Sequence, residues 1–192
     1  MKRVILITGA PCIGKTTVAK ALAEKLSAEY INIADFAESN SLKLDKDQER
    51  CIIADEEALQ QKIAEAIDFS NQTNIVLDGQ YVNVVPPAQY IAHVFVLRRN
   101  PKELKVLMEK SGYTGARLSM GLQSEIIGLC LGEAVEVHAG RVCELDVTAK
   151  PVEEIVEAIV AVLEKRQTCF VGVVDWMGTL ESEGILTDYV TI

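Results

Sequence analysis

The sequence predicts an α/β fold in which a five-stranded parallel sheet carries helices on both faces. Short apolar runs typical of buried strands alternate with segments whose apolar residues recur every three or four positions, as on one face of a helix. A glycine-rich loop joins the first strand to the first helix. At 192 residues and 49% hydrophobic content, the chain suits one domain with a substantial core. Alternation of this kind favours parallel strands, because each crossover helix returns the chain to the same edge of the sheet.

The individual elements follow from this periodicity in chain order. The predicted strands are residues 4–7, 30–33, 74–79, 91–97 and 141–145. The predicted helices follow residue 17, cover 55–69, begin at Pro101, cover 117–137 and begin at Pro151. Proline suits the first turn of a helix, where its missing N–H is not needed. A turn is predicted at Pro86-Pro87.

The loop after the first strand is the most specific motif. Residues 9–17, Gly-Ala-Pro-Cys-Ile-Gly-Lys-Thr-Thr, match G-x-x-x-x-G-K-[ST] at every fixed position. With a strand before it and a helix after it, the match predicts a P-loop NTPase fold. In such a loop, backbone N–H groups and the positive end of the helix dipole hold phosphate oxygens. The alternative, a chance match in an ordinary strand–turn–helix, is disfavoured by both flanks.

The loop residues have separate expected roles in holding ATP and Mg²⁺. Gly9 and Gly14 allow the backbone to approach the phosphates closely. Lys15 would reach the β- and γ-phosphates and act in catalysis, and Thr16 would place its hydroxyl on Mg²⁺. The predicted ATP-binding residues of the loop are Gly9, Cys12, Gly14, Lys15, Thr16 and Thr17.

Charged residues follow three further strands where each one ends. Asp35 follows the second strand, Asp78 ends the third in a Walker-B-like pattern, and Arg98 ends the fourth. Active-site loops lie outside the carboxyl ends of parallel strands, so these side chains should face the phosphate site. We therefore expect Asp78 and Arg98 to be catalytic, with Asp78 holding Mg²⁺ or its waters, and Asp35 and Asp78 to bind substrate.

Two polar segments suggest a kinase of small molecules. They lie near residues 35–55 and 110–120. One would close over the acceptor and the other over ATP, excluding water from the transferred phosphoryl group. This predicts a single kinase-like domain over 1–192 with two small lids and a C-terminal tail over 167–192. The sequence lacks N-K-x-D, so it gives no sign of guanine reading.

Composition limits the partners and the compartment. The net charge of −9 disfavours direct binding of nucleic acid, which depends on neutralising phosphates. The sequence has no apolar run of about 18 residues, so no membrane span is expected. The five cysteines are scattered without a C-x-x-C pair, which predicts reduced thiols in a cytoplasmic protein. The acidic tail would suit a basic partner or simple solvation. Trp176 within it could contact a second subunit, but docking on the chain's own core is the commoner outcome for such a tail and is the one that we expect.

Several runs beyond the loop resemble one family. Ile-Leu-Ile-Thr-Gly-Ala-Pro at residues 5–11, Tyr-Ile-Asn-Ile-Ala-Asp-Phe-Ala at 30–37, Val-Leu-Asp-Gly at 76–79 and Val-Phe-Val-Leu-Arg at 94–98 are similar to the adenylate kinase isoenzyme 6 family. This family is also called the coilin-interacting nuclear ATPase family. The likeness extends over about residues 3–165.

The resemblance implies a fold like that of nucleoside monophosphate kinases and adenylate kinase activity, in which ATP and AMP give two ADP, with ATPase activity beside it. It also implies a transient role in small-subunit ribosome maturation through a basic uS11-type ribosomal protein. Residues 32–55 would then be the lid over the monophosphate and 110–120 the lid over ATP. Ser111 in the ATP lid and Lys150 beside the adenine would contact ATP.

Four positions depart from the family pattern. Glu38, Leu107 and Ser111 stand where the family carries arginines, and Gln80 stands where it carries a histidine. One arginine can contribute about 10³–10⁵ to the rate of phosphoryl transfer. We therefore expect ATP binding to be retained and AMP phosphorylation to be weakened or redirected. The arginines that could partly compensate are Arg98, Arg99 and Arg117.

Four functions stay open from the sequence. The first is a nucleoside monophosphate kinase of the adenylate kinase type, and the second is an ATPase of ribosome assembly. The third is a kinase for another small acceptor, such as a shikimate-like compound or a sugar alcohol. The fourth is a nucleotide-binding protein without catalysis.

Overall fold

A parallel sheet of five strands forms the centre of the computed structural model, which describes residues 2–42, 44–47, 50–53, 55–80 and 90–190. The strands are β1 (Arg3–Gly9), β2 (Glu29–Asn32), β3 (Leu44–Asp47), β4 (Arg50–Ile53), β5 (Asn74–Asp78), β6 (Ile91–Arg98) and β7 (Val142–Asp146). The sheet order is β2-β5-β1-β6-β7, and β3 and β4 form a separate antiparallel hairpin. The predicted five-stranded parallel sheet is confirmed.

Eight α-helices of the described residues connect and cover these strands. They are α1 (Lys15–Leu26), α2 (Ile33–Ser39), α3 (Glu56–Phe69), α4 (Pro101–Lys110), α5 (Gly115–Ile126), α6 (Leu129–His138), α7 (Val152–Leu163) and α8 (Trp176–Ser182). Within the described part of the chain, no helix is long and apolar enough to span a membrane. The turn predicted at Pro86-Pro87 lies outside the described residues.

Two apolar layers enclose the sheet. Successive side chains of a strand point to opposite faces, so Ile5 and Ile7 of β1 join one layer while Val4 and Leu6 join the other. Residues of α1, α4, α5 and α7 complete the first layer. Residues of α3 and α6 complete the second. Helices on both faces explain why the strands read as nearly continuous apolar runs.

The order of the strands indicates where a ligand would bind. From β1 the chain moves outward to β2 and returns through β5 on one side of β1, and it then crosses to β6 and β7 on the other. Ligands of open α/β sheets bind in the crevice beside such a switch point, outside the carboxyl ends of the strands. The loop after β1 lies at this point.

The single helix predicted over 117–137 is wrong, because the chain breaks into α5 and α6. Gly128 adopts a left-handed conformation with φ 68° between them. A Cβ at Gly128 would lie 3.4 Å from Nη1 of Arg98. The break therefore brings the chain close to the Arg98 guanidinium, a contact that periodicity does not reveal.

The polar segment after β2 holds more regular structure than the sequence indicates. Asn32 caps α2, since its Oδ1 accepts a hydrogen bond of 3.0 Å from the backbone N–H of Asp35. This cap ends β2 one residue earlier than predicted. Helix α2 and the β3–β4 hairpin follow within 32–55, and the role of the segment as a lid stays a prediction.

The prediction that all cysteines are reduced is wrong for Cys143 and Cys169, which form a disulfide. Cys143 lies in β7, and the segment after α7 returns beside this strand, where Glu144 N–H donates to the carbonyl of Phe170 over 2.9 Å. The two cysteines are thereby placed with Cα atoms 5.2 Å apart. Among the described side chains, Cys12 and Cys130 are free, and the side chain of Cys51 lies outside the described part.

Candidate functional site

The loop between β1 and α1 forms a cradle of backbone N–H groups. Gly9 has φ 142°, and a Cβ there would lie 2.6 Å from the carbonyl oxygen of Leu97 in the neighbouring strand. Gly14 has φ 107° and precedes α1, where no described side chain caps the first turn. The N–H groups of that turn, at the positive end of the helix dipole, are therefore suited to an anion such as phosphate.

Lys15 begins α1 and lies folded over the loop. Its Nζ donates a hydrogen bond of 2.8 Å to the carbonyl of Ala10. Burial lowers the pKa of Lys15, while the charge of Asp78 acts in the opposite direction. A phosphate bound in the cradle would add further negative charge beside this partly buried ammonium.

Asp78, at the end of β5, collects three hydrogen bonds on one carboxylate oxygen. Its Oδ2 accepts from Thr16 Oγ1 at 2.6 Å, from Tyr30 Oη at 2.9 Å and from Asn32 Nδ2 at 2.9 Å. The residue is 1% exposed. Burial and the Asp78 charge raise the pKa of Tyr30 to about 12, so this phenol stays a donor at neutral pH. A hydroxyl hydrogen-bonded to a carboxylate offers the hard oxygen ligands that Mg²⁺ prefers.

Tyr30 and Asn32 are site residues that sequence reasoning missed. They lie two positions apart in β2, so both point to the same side of the strand. The β2–β5 register places Asn32 opposite Asp78. The polar residues in an otherwise apolar strand were the available signal, but only the pairing of β2 with β5 shows which acid they face.

The predicted catalytic residue Arg98 lies in a buried ion network. It is 3% exposed, and its Nε and Nη1 donate to Glu125 at 2.9 Å and to Glu144 at 2.5 Å. Its Nη2 donates to the backbone carbonyl of Glu125 over 2.8 Å. Because all three guanidinium nitrogens have partners inside the protein, the geometry argues against the predicted catalytic role.

The neighbouring Arg99 reaches the phosphate cradle instead. Its Nε donates to the carbonyl of Ile13 over 3.3 Å, and its Nη1 pairs with Glu103. A Cβ on Gly14 would lie 3.9 Å from Arg99 Nη2. Arg99 is therefore the arginine that the end of β6 presents to the loop.

Four other predicted site residues make no described hydrogen bond to Asp78 or Lys15. Cys12 is half-buried in the cradle with φ 60°, and Thr17 is exposed on the first turn of α1. Asp35 is exposed at the start of α2. Ser111 ends α4 and donates through its hydroxyl to the carbonyl of Leu107.

Lys150 follows β7, the edge strand on the opposite side of β1 from β5 and Asp78. It lines a shallow cleft with apolar side chains of Leu145, Val147 and Ile155. Its Nζ is 3.9 Å from Glu154. The predicted contact of Lys150 with adenine stays a prediction.

A glycine-rich loop at the switch point of a five-stranded parallel sheet, with the hydroxyl after its lysine held by an acid of the next strand, defines the fold of P-loop kinases. The profile of the family described as "AAA domain" matches residues 5–128. Shikimate kinase from Acinetobacter baumannii superposes with a TM-score of 0.62 at 12% identity, over 87% of this chain and 95% of that one. A gluconokinase from Sinorhizobium meliloti superposes with a TM-score of 0.53 at 18% identity, over 85% of this chain and 92% of that one.

Sequence relatives give a narrower assignment. A Pyrococcus abyssi protein named "Putative adenylate kinase" is 35% identical over 173 residues, which is 90% of this chain and 90% of the relative. A Methanocaldococcus jannaschii protein of the same name is 34% identical, over 90% of this chain and 92% of the relative. The chain belongs to this family of archaeal adenylate-kinase-like proteins.

Proposed function

We propose that the protein is an ATP-dependent nucleoside monophosphate kinase that transfers the γ-phosphoryl group of ATP to AMP or a related monophosphate. The observation that carries the proposal is the contact between Thr16 and the buried Asp78, directly beside Lys15 and the phosphate cradle. It assembles an anion site and a Mg²⁺ site at one edge of the sheet. The names of the archaeal relatives support the adenylate kinase type.

The loop, Lys15, Thr16 and Asp78 have separate roles in this proposed reaction. The loop N–H groups and Lys15 would bind the β- and γ-phosphates, and Thr16 with Asp78 would hold Mg²⁺ between them. Bound there, Mg²⁺ supplies charge neutralisation of the phosphate oxygens. An oxygen of the acceptor phosphate forms the new bond to the γ-phosphorus while the bond to the β-phosphate oxygen of ADP breaks. The acceptor oxygen is already anionic, so no general base is required.

Arginine placement is the reason to expect slow transfer to AMP. Arg98 is committed to the network with Glu125 and Glu144. Helix α2 carries Glu38 where the resemblance expects an arginine for the acceptor phosphate. Loss of one such arginine removes charge stabilisation of the transition state. We therefore infer that ATP binding is retained and AMP phosphorylation is weakened.

The test is ADP production by the pure protein with Mg²⁺ and ATP, with no acceptor and with each common nucleoside monophosphate in turn. ADP release that depends on a monophosphate is the expected result. Lys15→Ala is the control, and it should abolish activity. No stimulation by any monophosphate would overturn the kinase proposal, and rapid AMP-dependent turnover would overturn the inference that AMP transfer is weakened.

An ATPase of ribosome assembly is the second candidate. It is favoured by the ion pairs of Arg98 with Glu125 and Glu144, which leave this arginine unavailable to an acceptor phosphate. It would hydrolyse ATP without a monophosphate and bind a basic uS11-type ribosomal protein. The tail offers such a partner fewer free acidic side chains than its sequence indicates, because two of them already have partners within the chain. Asp175 caps α8 through the N–H of Gly178, and Glu183 pairs with Lys102 at 2.8 Å. Hydrolysis of ATP alone together with co-purification of such a protein would favour this candidate.

A further inference from the structure

The C-terminal tail docks through its one tryptophan. Trp176, the only tryptophan of the chain, begins α8 and is 8% exposed. Its indole Nε1 donates a hydrogen bond of 2.9 Å to Oε1 of Glu125. A buried indole N–H needs a hydrogen-bond partner, and here the partner is a carboxylate. A hydrogen bond to a charged group is stronger than one to a neutral group, so this contact fixes the tail as well as satisfying the indole.

Glu125 is the centre of the network that receives this bond. It is 2% exposed in α5, the helix that begins within the predicted ATP lid. The same Oε1 also accepts from Arg98 Nε at 2.9 Å and from the backbone N–H of Arg99 at 3.0 Å. Three donors from β6, its following residue and the tail thus converge on one oxygen, so removal of one donor changes the position that the other two favour.

Arg99 links this network to the phosphate cradle. Its backbone N–H is held by Glu125, while its side-chain Nε donates to the carbonyl of Ile13 within the loop. The guanidinium also lies beside Gly14. The loop is therefore connected to Trp176 by a chain of hydrogen bonds that runs through Arg99 and Glu125.

The tail makes a second attachment to the same network through Glu144 of β7. Glu144 Oε1 accepts from Arg98 at 2.5 Å, and its Oε2 accepts from the backbone N–H of Val173 at 2.7 Å. The tail thus satisfies both carboxylates that hold Arg98. Because a buried ion pair is costly when a partner is missing, the network is complete only while the tail is docked.

We propose that Trp176 and Glu125 are positioning residues of the nucleotide site, and that the tail from Cys169 to Ser182 is a built-in part of that site. The proposal rests on nucleotide binding at the P-loop, as in the proposed function. Trp176 fixes Glu125, Glu125 fixes Arg99, and Arg99 fixes the loop at Ile13. Displacement of the tail lowers nucleotide affinity without any change in the residues that touch phosphate.

The test compares Trp176→Phe with Glu183→Gln in the full chain. Phenylalanine keeps most of the packing and removes the indole donor. Glu183→Gln removes an exposed ion pair with Lys102 at the end of the same helix. Calorimetric titration with ADP and Mg²⁺, well below the melting temperature of each variant, should show affinity lowered roughly 3- to 10-fold for Trp176→Phe. Glu183→Gln should match the wild type. A Trp176→Phe affinity within about twofold of the wild type would overturn the proposal.

A second measurement on the wild type does not depend on how the variant folds. The emission of Trp176 should change on titration with ADP and Mg²⁺ and saturate together with the calorimetric signal. Lys15→Ala should abolish both signals. Calorimetric binding without an emission change and with an unchanged Trp176→Phe affinity would overturn this proposal alone, and absence of calorimetric binding by the wild type would overturn the proposed function as well.

Discussion

Asp78 illustrates how much of the site depends on a single atom. Its Oδ2 accepts hydrogen bonds from a loop hydroxyl, a phenol and a carboxamide, while the residue is 1% exposed. A buried carboxylate is stable only with such partners. The bond to Oδ2 also orients the Thr16 hydroxyl, which is the group proposed to hold Mg²⁺.

Asp78→Asn is predicted to lower activity and Mg²⁺ affinity by about 10- to 100-fold. The amide removes the negative charge, and its NH₂ group would meet Tyr30 and Asn32, which are themselves donors. Turnover measured against Mg²⁺ concentration checks this. Asp68→Asn, an exposed change in α3, is the matched control and should leave the Mg²⁺ dependence unchanged. An equal Mg²⁺ dependence in both variants would contradict the role given to Asp78.

At the scale of elements, the break between α5 and α6 shapes the region under the loop. Apolar residues continue across it, which is why periodicity predicted one helix. The left-handed turn at Gly128 allows the chain to pass close to the guanidinium of Arg98. A Cβ at this position would lie 3.4 Å from Nη1 of Arg98, so a larger residue would press on the ion network.

Gly128→Ala is predicted to destabilise the protein by about 1–2 kcal/mol, the cost of a left-handed conformation for a residue with a Cβ. Gly132→Ala is the matched control, because this glycine lies inside α6 with open space around its Cα. The control should be stabilising by roughly 0.5–1 kcal/mol through helix propensity. Chemical denaturation of both variants measures the difference. Equal unfolding free energies would show that the turn is not constrained.

Across the whole molecule, the tail closes the open side of the sheet. The strand β7 is an edge strand, and unpaired edges invite association with other chains. The carbonyl of Phe170 accepts from the N–H of Glu144, and the disulfide of Cys169 with Cys143 fixes the segment beside this strand. Trp176 and Leu180 are both buried against the protein's own core, so the docking of the tail preferred from the sequence is confirmed.

Cys169→Ser is predicted to lower the unfolding free energy by about 3 kcal/mol, because the disulfide closes a separation of 26 residues in the unfolded chain. Denaturant unfolding of the oxidised wild type and the variant measures the difference. The wild type treated with a thiol reductant should match the variant. If the oxidised wild type, the reduced wild type and the variant have the same unfolding free energy, the disulfide does not contribute to stability.

The sequence by itself determined the features that depend on local chemistry. Consecutive residues specify the cradle from Gly9 to Lys15, and local periodicity specifies the alternation of strands and helices that requires a parallel sheet. The position of Asp78, an acid at the end of an apolar strand, was also found locally, and its role stays a prediction. The predicted strands and loop agree with the structure because each depends on neighbours within a few positions along the chain.

Only the tertiary structure decided which charged groups serve the site. The bond between Thr16 and Asp78 spans 62 positions, and that between Trp176 and Glu125 spans 51. Arg98 and Arg99 are adjacent and chemically identical, yet one is enclosed by Glu125 and Glu144 and the other reaches Ile13. Their roles depend on which acids strand order and helix packing bring near, and local pattern carries no information about contacts over such separations.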